Sequence, residues 1–138
     1  MQSLYISRVV INNFRNFRFA DVKLGHKQVI IGENNVGKTN FLRAIQLILD
    51  PTLSDEDRML QESDFNDSID NPMENKEEIL IEVYIDNFEQ NKTILTVFQD
   101  ASVKTKEGKE VLKFTYRFFP YIDDAGNVEY QYNIYKGN

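Results

Sequence analysis

A chain of 138 residues is one domain by length, large enough to bury a genuine hydrophobic core. Its 16 Lys+Arg against 22 Asp+Glu give a formal charge of −6, the wrong sign for a surface that grips duplex nucleic acid, so such a contact needs a local basic patch or another segment. The absence of cysteine excludes disulfides and thiolate metal sites, no window is long and apolar enough to cross a membrane, and Met1–Tyr5 lacks the regions of a signal peptide, which together point to a cytoplasmic protein with no membrane partner.

Leu4 to Ile11 is rich in β-branched and aromatic residues and predicts a strand buried on both faces. Leu4, Ile6 and Val10 point one way and Tyr5, Val9 and Ile11 the other. Asn12-Asn13 interrupts it, and Phe14-Arg15-Asn16-Phe17 predicts a turn. Phe19 to Leu24 is a second short strand, closed by Gly25-His26-Lys27. His26, the only histidine, sits in a predicted turn with no neighbouring partner for catalysis or metal binding.

Val29-Ile30-Ile31 is the short apolar run of a central strand. It leads into Gly32-Glu33-Asn34-Asn35-Val36-Gly37-Lys38-Thr39-Asn40, which fits the phosphate-loop pattern G-x-x-x-x-G-K-[ST] without mismatch. Backbone N–H groups in such a loop converge on an anion, and glycine removes the Cβ atoms that would hold the backbone away. The following helix adds its N-terminal N–H groups and partial positive charge. Lys38 reaches the outer phosphates and the Thr39 hydroxyl ligates Mg²⁺. The candidate nucleotide-binding residues are therefore Gly32, Asn34, Asn35, Val36, Gly37, Lys38, Thr39 and Asn40, with Thr39 as metal ligand and ATP with Mg²⁺ as cofactors. Phe41, Ile45 and Ile48 recur at helical spacing with Leu42 and Leu49 beside them, and Asp50-Pro51 ends the helix.

Residues 52–76 are acidic and aperiodic, a loop with one short helix near Asp55–Gln61 anchored by Met59-Leu60 and Phe65. The acidic run reads as solvated surface rather than a metal cluster. Asp64 stands out, because Phe65 beside it would pin it near the nucleotide side. From Ile79 the period becomes two: Ile79, Ile81, Val83 and Ile85 share a face opposite Glu82 and Tyr84. Ile94–Phe98, Val111–Phe119 and Val128–Tyr135 repeat the strand signal, with turns at Lys106–Lys109 and Asp123–Asn127. No apolar strand ends in the Asp-Glu pair that triphosphate hydrolysis needs, and no catalytic residue is assigned.

The segments Ile11-Asn12-Asn13-Phe14-Arg15-Asn16-Phe17, Gly32 to Leu42, and Leu49-Asp50-Pro51 with Asp64-Phe65 resemble the N-terminal lobe of RecF/SMC-like ABC ATPases. Within that group they look most like the OLD family of ATP-dependent endonucleases, which includes nuclease-like subunits of anti-phage systems such as Gabija and certain retrons. The resemblance implies an α/β fold: a mixed sheet with the phosphate-loop helix plus antiparallel β-hairpins. In that scheme residues 1–138 are the N-terminal part of one ATPase domain, divided into 1–51 with strands, loop and helix, 52–78 as acidic loop, and 79–138 as an antiparallel β-subdomain. The Walker B strand, signature motif and any Toprim nuclease domain would lie outside this chain. The resemblance further implies a head-to-head homo-oligomer around ATP, DNA contact through the full-length protein, and a defence-system partner subunit. Arg15 would then be the N-terminal arginine that reaches the nucleotide's phosphates; a surface ion pair is its other reading. This chain alone is expected to bind ATP without turnover. The rival readings are an ABC transporter subunit, a DNA-repair ATPase without nuclease activity, and a stand-alone nucleotide-binding module.

Overall fold

The computed structural model describes residues 4–25, 35–86 and 92–138, and organises them around an antiparallel sheet. Strand β1 (Tyr5–Phe14) turns at Arg15-Asn16 into β2 (Phe17–Lys23), with Phe14 opposite Phe17. Helix α1 (Asn35–Leu49) follows, then the short helix α2 (Asp55–Arg58) and a 3-10 turn at Glu62–Asp64. Strand β3 (Ile79–Asp86) lies on the other side of β1 from β2 and pairs with β5 (Glu110–Ile122). Helix α3 (Lys92–Val97) and β4 (Ser102–Lys104) precede β5, and β6 (Val128–Lys136) closes the sheet as a hairpin partner of β5. The order is β2-β1-β3-β5, with β4 and β6 both paired to β5. Every described pairing is antiparallel. The run Val29–Ile31, His26, and the loop residues Gly32 and Asn34 lie outside the described residues.

The strands after residue 79 extend the sheet begun by β1 and β2, because β3 places its apolar face level with that of β1: Val9 opposes Val83 and Ile11 opposes Ile81. This face and α1 bury one core. Val9, Ile11, Phe14, Ile79, Ile81, Val83, Tyr116 and Phe118 come from the sheet, Phe41, Ala44 and Leu47 from the helix, and Leu60 and Phe65 from the segment between. Burial at roughly 25 cal/mol per Å² of apolar surface makes this layer the main source of stability.

Five expectations change. A register shift between Ile6 and Arg8 puts Ile6 opposite Ile85, on the same face as Val9 and Ile11 rather than with Val10; one extra residue in a strand reverses the parity of everything before it. The strand also runs through Asn12-Asn13 to Phe14 instead of breaking there. Ile94–Phe98 is not a strand, since α3 occupies Lys92–Val97; a short apolar run carries no period that separates helix from strand. On α1 the innermost stripe is Phe41, Ala44 and Leu47, with Ile45 and Ile48 flanking it and Leu42 exposed. Alanine at the point of closest approach lets the helix lie down on the sheet. Met59 is exposed while its neighbours' anchoring falls to Leu60 and Phe65, because the backbone at Met59 is extended and successive side chains point opposite ways.

The predicted turns take the form their residues dictate. Gly108 (φ 85°) and Gly126 (φ 86°) supply the left-handed positions before β5 and between β5 and β6. The Asp123 carboxylate accepts N–H bonds from Ala125 at 2.9 Å and Asn127 at 2.8 Å. At the end of α1, Asp50 accepts from the Thr52 N–H at 2.9 Å and hydroxyl at 2.6 Å, which closes the turn around Pro51.

Candidate nucleotide-binding site

The first two turns of α1 carry Gly37, Lys38, Thr39 and Asn40, and the first turn holds no acidic residue. Lys38 and Thr39 are exposed, whereas Asn40 is 8% exposed and Phe41 is packed in the core. Rotation of about 100° per residue produces this split: once Phe41 and Ala44 are seated on the sheet, Lys38 and Thr39 fall on the outer side. An exposed ammonium, an exposed hydroxyl and a first helical turn without an acidic residue form a donor set that suits a phosphate anion, with the hydroxyl oxygen available to a hard cation. Asn35 and Val36 begin the same helix.

The β1–β2 turn stands beside that helical turn. Asn40 donates from Nδ2 to Asn16 Oδ1 at 2.7 Å and accepts at Oδ1 from Arg15 Nη1 at 2.9 Å. Arg15 Nε donates to Asp64 Oδ1 at 3.0 Å. The other Asp64 oxygen accepts the Gln61 N–H at 2.8 Å and so caps the 3-10 turn that presents it. Three stretches distant in sequence thus meet through side chains: the Arg15-Asn16 turn, the start of α1, and the acidic segment at Asp64. An ion pair for Arg15, one of its two sequence readings, is present, and it stands next to the phosphate-loop helix. Asn40, grouped by sequence with the nucleotide contacts, commits both ends of its side-chain amide to Asn16 and Arg15.

Sequence reasoning missed Asn16 and the Arg15–Asp64 pairing. Its one available signal was the Asp64-Phe65 pair. Phe65 is 4% exposed, bridges to Phe14 and packs at a tilt against Phe118 and Tyr130, each ring centroid 5.9 Å away; an anchored aromatic fixes its neighbour's direction. The acidic segment is held further by tyrosines of the sheet. Tyr130 donates to Glu62 at 2.7 Å, Tyr132 to Asp55 at 2.7 Å, and Tyr116 to the Arg58 carbonyl. Burial, then the Glu62 hydrogen bond, pushes the Tyr130 phenol above its ordinary range, so it stays a neutral donor. The acids at 55 and 62 are therefore structural acceptors in this segment.

The AAA ATPase domain family matches residues 4–137. Endonuclease GajA of Bacillus cereus (strain VD045) is 33% identical over 100 residues, covering 69% of this chain and 16% of that protein. The DNA replication and repair protein RecF of Rickettsia canadensis (strain McKiel) is 40% identical over 48 residues, 34% of this chain and 13% of that protein. A solved chain from work on ATP-driven dimerization and DNA-stimulated activation of SMC ATPases aligns with a TM-score of 0.47 and 16% identity, covering 94% of this chain and 69% of its own. The chain thus spans only a small part of the length of the curated relatives it matches. Its first strand, its phosphate-loop helix and the sheet that carries them all fall inside the matched residues, and the chain belongs to the AAA ATPase domain family.

Proposed function

We propose that this chain is the ATP-binding N-terminal lobe of an OLD-type, ATP-dependent DNA endonuclease, a nucleotide-gated effector of anti-phage defence. The observation that carries the reading is the exposed Lys38-Thr39 pair that closes the phosphate-loop pattern, near the start of a helix anchored by Phe41 and Ala44. Lys38 places its ammonium against the β- and γ-phosphates, Thr39 offers its hydroxyl oxygen to Mg²⁺, and Arg15 lies close enough through Asn40 to serve the same phosphates. A metal ion held by the Thr39 hydroxyl would neutralise charge on the triphosphate. Likeness to endonuclease GajA supports the nuclease part of the reading, and likeness to RecF favours a second one, a repair ATPase without nuclease activity. In either case, two heads closing on the triphosphate would turn phosphate contacts into a domain movement, with a second copy as partner and DNA contacted elsewhere in the full-length protein.

Calorimetric titration of the purified protein with Mg²⁺-ATP tests the binding step. A charge-assisted phosphate contact is worth roughly 1.5–3 kcal/mol, so Lys38→Ala should weaken binding by about ten- to one-hundred-fold. Equal affinity in wild type and variant would overturn the site. Plasmid cleavage by the full-length protein across ATP concentrations separates the two readings: phosphate release with no cleavage under any condition selects the repair ATPase.

A further inference from the structure

The β1–β2 turn is held in its shape from far along the chain. Arg15 has a φ of 52° and Asn13 a φ of 63°, left-handed values that arginine in particular rarely adopts. Such a conformation persists when its surroundings over-determine it, and here they do. The Arg15 N–H donates to the Asp64 carbonyl at 2.7 Å, Asn66 N–H to the Asn13 carbonyl at 3.0 Å, and Asn66 Nδ2 to the Arg15 carbonyl at 2.7 Å. Asn13 Nδ2 in turn donates to the Glu78 carbonyl at 2.8 Å. The backbone of Arg15 is therefore docked on residues 64–66 before its side chain is considered.

The side chain is fixed by two further contacts. A guanidinium has five N–H donors; Nε goes to Asp64 and Nη1 to Asn40, and neither contact uses Nη2. The side chain is 35% exposed, while that of Asp64 is 16% exposed. Asn40 has its amide orientation set at both ends, since turning it over would bring its NH₂ against the guanidinium and its oxygen against Asn16 Oδ1. Asn40 also follows Lys38-Thr39 directly in the helix.

We propose that Asn40 and Asp64 are positioning residues for Arg15. They hold its guanidinium at a set place beside the second turn of α1 and leave Nη2 for an outer phosphate of the nucleotide. The pairing with Asp64 then fixes the arginine in advance, and the ordering of a long side chain is completed before the ligand arrives. This rests on the nucleotide reading above and deepens it.

Affinities of the purified protein for Mg²⁺-ATP and for AMP, which lacks the outer phosphates, test it. Arg15→Ala should lower the ATP-to-AMP preference roughly ten-fold, and Asn40→Ala by a comparable factor. The double variant Arg15→Ala/Asn40→Ala should discriminate no worse than Arg15→Ala alone. Losses that multiply independently would overturn the positioning role, as would an Asn40→Ala variant that keeps the wild-type preference. If Asn40→Ala does not fold, Asp64→Asn alone and combined with Arg15→Ala supplies the same cycle. A protein that binds ATP through Lys38 but whose preference ignores Arg15 sinks this inference and leaves the nucleotide site standing. Failure of the wild type to bind ATP sinks the nucleotide reading itself.

Discussion

At the scale of single residues, the start of α1 separates anchoring from outward-facing side chains within four positions. Phe41 and Asn40 turn inward, Lys38 and Thr39 outward. The two outward groups carry different chemistry, and substitution can tell them apart. Thr39→Ala removes the oxygen offered to Mg²⁺ while keeping the helix start, so it should weaken ATP binding in Mg²⁺ by about ten-fold and change it little in EDTA. Titrations with and without chelator check this; equal loss in both would mean that Thr39 contacts phosphate instead of metal. Because both side chains are exposed, neither Lys38→Ala nor Thr39→Ala should shift the thermal midpoint beyond the change expected of a surface substitution, about 0.5 kcal/mol.

At the scale of elements, the acidic segment behaves as a strap over the sheet and not as free loop. Ser54 caps α2 by accepting the Asp57 N–H at 3.1 Å, and Ser54→Ala should cost about 1 kcal/mol. Tyr116 matters more. Its ring is fully buried and stacked on Tyr132 at 5.4 Å, and its hydroxyl donates to the Arg58 carbonyl. Tyr116→Phe leaves that carbonyl without its donor, and should destabilise the protein by about 1–3 kcal/mol. Urea denaturation measures both changes. If the strap positions Asp64, Tyr116→Phe should also loosen protection of the Arg15 and Asp64 amides against hydrogen exchange, whereas an effect confined to global stability would show the two ends of the strap to be uncoupled.

At the scale of the whole molecule, sheet direction decides which acids can take part. β3 ends in Asp86, buried and paired with Lys109 at 2.6 Å, and Asp86 lies opposite Tyr5 at the beginning of β1. The Arg15 turn is at the other end of β1, and at 3.3 Å per residue the nine steps from Tyr5 to Phe14 put about 30 Å between them. Asp86 is thus too remote to hold a metal at Lys38-Thr39, and among the described residues no apolar strand ends in the acid pair that hydrolysis requires. Asp86→Asn should therefore leave ATP affinity and phosphate release unchanged, while lowering stability by about 1–3 kcal/mol through its buried pairing. Residues 1–138 alone should bind ATP and release phosphate no faster than the Lys38→Ala variant; faster release that Lys38→Ala abolishes would reveal a catalytic acid within the chain.

The sequence by itself determined what depends on neighbours along the chain. The period of two in Ile79–Ile85 and the glycines at 108 and 126 specified strands and turns, and Asp50-Pro51 specified the end of α1, because alternation, positive φ and the restriction before proline are local properties. The phosphate-loop pattern specified a helix start for the same reason. Tertiary structure decided the rest. Only the register with β3 shows that Ile6 shares a face with Val9, and only contact with the sheet selects Ala44 over Leu42 for the helix's inner stripe. Arg15 meets Asp64 across 49 residues and Asn40 across 25; such pairs form when the sheet brings remote turns together, and side chains that meet only in the folded chain leave no spacing for a sequence to display.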